Sequence, residues 1–225
     1  MHNRFFVTGT DTGIGKTCVS AALLRLMVRA GQQPFAFKPY ESGLEPGVLS
    51  DSERLRVAAG GHQPIETVSL HRFRAPLAPA MAARREKRKP SWALTLKTFT
   101  QFSKAPGVVE GAGGLHVPLD AQHDVIDLIV ALKTPVVLVA RAGLGTINHT
   151  TLSLNELLRR QVSVAAVLLT QASAGADLSI RDNQPELQRR FGSIRFLKAV
   201  PFIAAEKKRA AAFEHSLKPL IAKSP

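Results

Sequence analysis

The sequence predicts an α/β protein with a doubly wound, mostly parallel sheet and helices on both of its faces. Three observations lead to this class. Short runs of Val, Ile, Leu and Phe are apolar at successive positions, as in strands that are covered on both faces. Helix-length segments alternate with these runs. A glycine-rich turn joins the first run to the first helix.

Six apolar runs predict strands, and a seventh run predicts a weaker one. The six span residues 5–8, 34–37, 108–110, 136–140, 164–170 and 196–200, and the weaker one spans 67–70. Six segments predict helices, at 16–30, 51–59, 92–102, 124–132, 148–160 and 184–191. The first is the clearest, because apolar residues recur at helical spacing from Val19 to Met27 and Gly31 is a typical stop. The segments 43–47 and 75–90 are predicted to be connections.

Composition limits the classes of protein. The 225 residues are 45% hydrophobic and 21% charged, which indicates a folded chain, and we predict a single α/β domain over 1–225. The net charge of +13 attracts anionic ligands without choosing among nucleotides, nucleic acids and acidic membranes. The single cysteine, Cys18, excludes an internal disulfide bond. The sequence has neither an apolar run of about 18 residues nor the pattern of a signal peptide, so a cytoplasmic protein is expected.

The glycine-rich turn over residues 9–17 has the composition of a phosphate-binding loop. It lies between a strand and a helix, where backbone N–H groups at a helix start bind phosphate. Lys16 is expected to reach the terminal phosphates and the Thr17 hydroxyl to bind Mg²⁺. Five residues rather than four separate Gly9 from Gly15, so the loop is a variant of the usual motif. An ordinary glycine turn with a surface lysine is the alternative, but the placement favours a P-loop NTPase-like fold.

Four motifs, taken together, resemble those of the dethiobiotin synthetase family. They are FVTGTDTGIGKT at 6–17, KPYESG at 38–43, VEGAGG at 109–114 and GLGTINHT at 143–150. The resemblance implies an ATP-dependent reaction in biotin biosynthesis, in which 7,8-diaminononanoate and CO₂ give dethiobiotin, ADP and phosphate. It also implies that a carbamate attacks the γ-phosphate, and that the second amine displaces phosphate from the resulting carbamic-phosphoric anhydride.

The resemblance also assigns roles to residues near the phosphate loop. The roles are catalysis for Lys16 and Lys38, a substrate contact for Ser42, and Mg²⁺ binding for Thr17, Asp51 and Glu110. Phosphoryl transfer to a weak nucleophile needs such cations and close positioning more than it needs a protein nucleophile. An N-cap role in the following helix explains Asp51 equally well.

ATP is expected to contact the phosphate loop, the glycines after the third strong strand and two later turns. The contacts are Thr12, Gly13, Ile14, Gly15, Lys16, Thr17, Cys18, Glu110, Gly111, Ala112, Gly113, Gln171, Pro201, Phe202 and Ile203. Family members often carry Asn where this chain has Thr170 and Gln171, so either Gln171 replaces it or base selectivity is relaxed. Ala80 likewise stands where the family often has His.

The turn at 143–150 is expected to bind the carboxylate of the substrate, since helix N-termini attract carboxylates. The resemblance implies that a partner subunit supplies these contacts, and therefore a homodimer with the substrate site at its interface. The residues concerned are Gly145, Thr146, Ile147 and Asn148. From the sequence, capping of the following helix explains Thr146 and Asn148 just as well.

Two other hypotheses remain open. One is a nucleotide-gated P-loop switch that binds nucleic acid. The basic run at 84–89 favours this hypothesis. Two observations count against it. A switch of the partitioning type carries an extra lysine where this chain has Asp11, and no aromatic residue is interleaved with the basic run. Neither nucleic acid nor a membrane is therefore expected as a partner. The other is a paralogue that binds nucleotide without making dethiobiotin, which Ala80 and Thr170 would fit.

Overall fold

The computed structural model describes residues 3–102, 105–175 and 177–221. Seven strands occur in these residues: β1 (Arg4–Gly9), β2 (Phe35–Phe37), β3 (Tyr40–Glu41), β4 (His71–Arg72), β5 (Gly107–Glu110), β6 (Val136–Arg141) and β7 (Val164–Thr170). Five of them form one parallel sheet in the order β2-β5-β1-β6-β7, and β3 pairs with β4 in a separate parallel pair. The carboxyl ends of all five strands therefore lie at one edge of the main sheet, where open α/β folds bind ligands.

Helices cover both faces of this sheet. The helices among the described residues are α1 (Lys16–Arg29), α2 (Asp51–Ala58), α3 (Ile65–Val68), α4 (Pro79–Arg85), α5 (Trp92–Thr100), α6 (Val125–Leu132), α7 (Thr146–Arg159), α8 (Ser179–Arg190) and α9 (Glu206–Leu217). One apolar core contains residues of α1, α2 and α9, and the other contains residues of α5, α6, α7 and α8. The predicted doubly wound fold is confirmed. Within the described part of the chain, every helix is too short or too polar to cross a bilayer.

Strand β1 shows why the strand residues are apolar at successive positions. Phe5 and Val7 lie in the core under α1, whereas Phe6 lies in the core on the opposite face. Full burial of one such side chain stabilises the fold by about 1.5–3 kcal/mol. Both faces of the strand therefore require apolar residues, and the alternation of a half-exposed strand is absent from β1.

Two strand predictions are wrong. Residues 67–70 contain the end of α3 rather than a strand, and the extended backbone follows them at β4. Residues 196–200 run parallel to β7 through two isolated bridges, from Val167 to Phe196 and from Thr170 to Val200. An apolar run indicates burial, and Leu197 and Val200 are indeed buried. The regularity of the hydrogen-bond ladder depends on the neighbouring strand, so the run alone does not specify it.

Several helices differ from the prediction. Helix α4 lies within the segment 75–90 that was expected to be a connection, with Pro79 at its first turn, a position that proline tolerates. Helix α9 was not expected. Helix α8 begins at Ser179 rather than at residue 184 and continues through Pro185, although proline usually marks a helix start. Helix α7 begins two residues earlier than predicted, at Thr146.

A test of this sheet uses Gly107, the first residue of β5 and a neighbour of Phe35 in β2. A Cβ atom at Gly107 would overlap the backbone oxygen and the ring of Phe35. We therefore predict that Gly107→Ala lowers the free energy of unfolding by about 2–3 kcal/mol, measured by urea denaturation. Gly192→Ala is the control, because a Cβ atom there meets its nearest neighbour at 3.8 Å, and we expect a change below about 0.5 kcal/mol. Equal unfolding midpoints for the two variants would contradict the close approach of β2 and β5.

Candidate active site

The predicted site residues follow the carboxyl ends of neighbouring strands. The phosphate loop follows β1, Lys38 follows β2, and Glu110 is the last residue of β5. The parallel register pairs Glu110 with Val7 and Phe37 with Val109. These segments are therefore brought together at one edge of the sheet although they lie far apart in the sequence.

The phosphate loop has the backbone that its glycines allow. Gly13 and Gly15 have φ angles of 67° and 96°, in the left-handed region that other residues rarely adopt. Gly15 is the N-cap of α1, and no side chain of the described residues caps it. The N–H groups at the start of α1 are thus left for a ligand, and such groups together with the helix dipole favour an anion. Within the loop, Lys16 Nζ donates to the carbonyl oxygen of Asp11 at 2.6 Å.

Two residues outside the phosphate loop form contacts with it that the sequence analysis did not predict. The Thr170 hydroxyl, at the end of β7, donates to the carbonyl oxygen of Ile14 at 2.5 Å. Arg141, at the end of β6, forms an ion pair of 3.0 Å with Asp11. The signal that points to both is their place as the last residue of a parallel strand. Thr170 therefore has a structural role at the position where the family often has Asn.

A buried ammonium group lies between two carboxylates beside the loop. Lys38 Nζ is 2.5 Å from Glu110 Oε1 and 3.1 Å from Asp51 Oδ2. The Thr17 hydroxyl donates to the same oxygen of Glu110 at 3.0 Å. Lys38 and Glu110 are buried, whereas Asp51 is partly exposed. The predicted catalytic lysine and the three predicted metal ligands thus form one connected cluster.

The charges in this cluster shift one another's pKa. Burial alone lowers the pKa of Lys38, but Glu110 and Asp51 outweigh it and the pKa is raised. Burial likewise raises the pKa of Asp51, and Lys38 outweighs it, so that pKa is lowered. Burial lowers the pKa of Lys16 to about 8, an effect that Glu110 opposes and the charge of Lys38 reinforces. Lys38 is therefore a permanent cation at neutral pH, and Lys16 is the lysine that loses its proton first.

The donor set fits Mg²⁺. Glu110 Oε2 is buried and has no hydrogen-bond partner among the described residues, which is unfavourable for a carboxylate oxygen unless a cation binds it. Thr17, Asp51 and Glu110 supply a hydroxyl and two carboxylates, the hard oxygen ligands that Mg²⁺ prefers. The described residues contain no cluster of three or more His, Cys, Asp or Glu for a metal, so the hydroxyl would be part of the set.

The alternative role for Asp51 as an N-cap is wrong. Ser50 is the N-cap of α2, and its hydroxyl accepts from the backbone N–H of Glu53 at 3.3 Å. The Glu53 carboxylate in turn accepts from the backbone N–H of Ser50 at 2.8 Å, which completes a capping box. Asp51 is the first residue of the helix, and its carboxylate faces Lys38.

Ser42 lies on the wall of a cleft of about 630 Å³ that also includes Thr17 and Asp51. The same cleft extends to Cys18 in α1 and to Arg209 in α9. A ligand in this cleft would thus touch the end of the phosphate loop and the residue expected to contact the substrate. The structure therefore places Ser42 beside Thr17 and Asp51, two members of the cluster around Lys38.

The glycine turn at 143–150 lies elsewhere, on a groove of about 410 Å³ that includes Leu144, Gly145, Ile147 and Asn148. Gly145, with φ of 90°, is the N-cap of α7, so capping by Thr146 or Asn148 is wrong. The buried hydroxyl of Thr146 instead lies 3.1 Å from that of Thr150. Within one chain this groove is distinct from the cleft at Ser42.

The residues expected near the nucleobase form a small hydrogen-bonded group. Gln171 Nε2 donates to the carbonyl oxygen of Gly175 at 3.1 Å, and Gln171 Oε1 accepts from the backbone N–H of Phe202 at 3.4 Å. Pro201 and Phe202 are exposed, and Ile203 is partly buried. The structure therefore brings Gln171 and the turn at 201–203 together.

Ala80, which stands where the family often has His, is buried, and its N–H donates to the carbonyl oxygen of Pro118 at 3.0 Å.

Comparison with known proteins identifies relatives along most of the chain. The family model described as AAA domain matches residues 3–208. The ATP-dependent dethiobiotin synthetase BioD of Anaeromyxobacter sp. (strain K) is 48% identical over 186 residues, which are 82% of this chain and 83% of that protein. The protein of the same name from Brucella anthropi is 36% identical over 208 residues, which are 91% of this chain and 88% of that protein. The biotin biosynthesis bifunctional protein BioCD of Bordetella avium is 42% identical over 87% of this chain and 39% of its own length.

Two solved structures share the fold at low sequence identity. The MinC:MinD cell division protein complex of Aquifex aeolicus matches with a TM-score of 0.57 and 11% identity, over 99% of this chain and 97% of the matched chain. A ParA family ATPase from Chlorobium tepidum TLS matches with a TM-score of 0.51 and 13% identity, over 99% of this chain and 93% of the other. At this identity the likeness concerns the fold alone.

The lowered pKa of Lys16 predicts how nucleotide binding depends on pH. A bound phosphate favours the protonated lysine, so above its pKa of about 8 binding must take up a proton. We predict that the affinity for ADP falls by up to about tenfold per pH unit above this pKa, measured by isothermal titration calorimetry. Lys16→Met should bind ADP more weakly and without this pH dependence. If the affinity for ADP falls with pH equally in the wild type and in Lys16→Met, a group other than Lys16 titrates.

Proposed function

Since the chain belongs to the dethiobiotin synthetase family, we propose that it closes the ureido ring of dethiobiotin in an ATP-dependent reaction. Its substrates are 7,8-diaminononanoate, CO₂ and ATP, and its products are dethiobiotin, ADP and phosphate. The observation that carries this proposal is the Lys38 ammonium group, buried beside the phosphate loop and held by Glu110 at 2.5 Å and by Asp51 at 3.1 Å. The requirement for ATP supports a cytoplasmic location, which cell fractionation would test.

In the first steps, one amine of the diamine adds to CO₂ and releases a proton to solvent, which gives a carbamate. A carbamate oxygen then attacks the γ-phosphate of ATP. A P–O bond forms to the carbamate and the bond to ADP breaks, which gives a carbamic-phosphoric anhydride and ADP. Lys16 and Lys38 both lie at the phosphate loop and stabilise the negative charge on the transferring group. The raised pKa of Lys38 keeps it cationic throughout.

In the last step, the second amine attacks the carbamoyl carbon and phosphate leaves. The new C–N bond closes the five-membered ureido ring, and the amine releases a proton. No protein nucleophile is needed, so the residues act by holding the two amines near the reacting carbon. Ser42, on the wall of the cleft next to Asp51, is the proposed contact of the diamine.

Thr17, Asp51 and Glu110 are the proposed ligands of Mg²⁺. When bound there, the ion neutralises negative charge on the nucleotide phosphates. Glu110 and Asp51 also hold Lys38 in place through their contacts with its ammonium group. Glu110 Oε2 has no hydrogen-bond partner among the described residues, which supports the binding of a further cation at this position.

ATP is proposed to bind along the phosphate loop, from Thr12 to Cys18, and along the glycines from Glu110 to Gly113. The turn at 201–203 and Gln171 are proposed to flank the base. Each polar atom of the Gln171 amide already makes one hydrogen bond, to Gly175 or to Phe202, which fixes the orientation of the side chain. The amide nitrogen keeps a second hydrogen and the oxygen a second lone pair, so the oriented side chain can also contact a base.

A homodimer is proposed, with the turn at 145–148 of one subunit completing the substrate site of the other. The turn carries Leu144, which is 83% exposed, and α7 carries Leu152, which is 61% exposed. Exposed leucines beside a groove are typical of protein contact surfaces. The start of α7 attracts a carboxylate, which suits the carboxylate end of the diamine. This groove and the cleft at Ser42 are separate within one chain. In the proposed dimer, the groove of one subunit lies next to the cleft of the other.

The turnover requirements test the function and separate it from the two alternatives. We predict that phosphate release from ATP requires both bicarbonate and 7,8-diaminononanoate, and that Lys38→Met lowers kcat by at least about a thousandfold. Lys97→Met, an exposed lysine on α5, is the matched control and should retain full turnover. Stimulation by DNA or RNA instead would favour a nucleic-acid switch. A protein that binds ATP but neither binds nor converts the diamine would be the inactive paralogue.

The proposed dimer has its own test. We predict that Leu144→Asp yields a monomer by analytical ultracentrifugation and raises the KM for the diamine by at least about tenfold, because a charge is placed in an apolar contact. Leu94→Asp is the control, since Leu94 is also partly exposed but lies on α5, next to the β2 edge. A wild-type protein that sediments as a monomer and is fully active would contradict the shared site.

A further inference from the structure

Glu41 is a buried carboxylate without a part in the proposed chemistry. It lies in β3, three residues after Lys38, and is 4% exposed. Its Oε1 accepts from the backbone N–H of Ser52 at 3.0 Å, and its Oε2 accepts from the Ser52 hydroxyl at 2.5 Å. Arg72 of β4 approaches the same carboxylate at 3.8 Å. Both hydrogen bonds to the carboxylate thus come from one residue, Ser52, the second of helix α2.

Glu41 is not the N-cap of helix α2, whose first turn has the capping box of Ser50 and Glu53. That box satisfies the N–H groups of Ser50 and Glu53, and Glu41 accepts from the N–H group of Ser52 between them. Burying a charged carboxylate is expensive, and a well-packed apolar residue is often as stable in such a place. Glu41 joins β3 to the first turn of α2 through both the N–H group and the hydroxyl of Ser52, and it thereby fixes where that turn lies.

The residue whose position Glu41 controls is Asp51. Asp51 precedes Ser52 directly, and its carboxylate reaches Lys38 at 3.1 Å. The segment after β2 thus holds α2 at two points, through Lys38 to Asp51 and through Glu41 to Ser52. The Asp51 side chain is 45% exposed, whereas Glu110 is buried, so Asp51 is less confined than Glu110 and gains more from such support.

We propose that Glu41 is a positioning residue for the divalent cation, which acts through Ser52 to hold the Asp51 carboxylate in the orientation that binds the ion. This inference rests on the proposed function, in which Asp51 is a Mg²⁺ ligand. Residues that orient a metal ligand typically change metal affinity by 10- to 100-fold when they are replaced.

The test measures binding of Mn²⁺ in the presence of ADP, by the loss of the free-ion signal in electron paramagnetic resonance. Ser52→Ala removes the hydroxyl without changing any charge, and we expect it to weaken Mn²⁺ binding by about tenfold. Glu41→Gln should weaken it by at least as much. The affinity for ADP in EDTA should stay within about twofold of wild type for Ser52→Ala, because the phosphate loop is untouched.

Glu53→Gln is the matched control. It removes a negative charge from the same helix turn, but glutamine also completes a capping box, so Mn²⁺ binding should change by less than about twofold. Wild-type Mn²⁺ affinity in both Ser52→Ala and Glu41→Gln would overturn the inference, as would an equal loss in Glu53→Gln. These results leave the proposed function intact, provided that the wild-type protein makes dethiobiotin. Thermal melting of each variant identifies one that fails to fold, and the remaining variant then decides.

Discussion

A buried cation held between two carboxylates is the interaction on which the site depends. Lys38, Glu110 and Asp51 come from three separate elements and meet at 2.5 Å and 3.1 Å. Lys38 and Glu110 are both buried, and removing one partner of such a buried pair is strongly destabilising, by about 3–5 kcal/mol, because it leaves a charge without compensation. The segment after β2, the end of β5 and the start of α2 are held at one relative position as a result.

The same site contains features that are unfavourable until ligands bind. Burial lowers the pKa of Lys16 to about 8, and one oxygen of Glu110 lacks a partner among the described residues. A phosphate group near Lys16 and a cation near Glu110 would relieve both. Local features that oppose stability are concentrated at functional sites in proteins. In this molecule they coincide with the proposed nucleotide and Mg²⁺ positions.

Part of the basic run at 84–89 has a structural explanation. Glu86 accepts hydrogen bonds from the backbone N–H groups of Arg74 and Ala75, at 2.7 Å and 3.0 Å. The Arg88 guanidinium lies 5.0 Å from the centre of the Phe73 ring and donates to the carbonyl oxygen of Arg72. These contacts anchor the end of α4 to the chain after β4. Two residues of the run thus serve the fold, which agrees with the absence of aromatic residues for base stacking within it.

By itself, the sequence determined the five strands of the main sheet, the phosphate loop and the segments that carry Lys38 and Glu110, because apolar runs and glycine turns are local patterns. The tertiary structure alone decided which distant side chains meet. Pattern and spacing say nothing of the contact from Glu41 to Ser52 or from Thr170 to the loop. The irregular edge at 196–200 also depends on its neighbour in the sheet. Hydrogen bonds and ion pairs between elements arise only when packing brings the elements together.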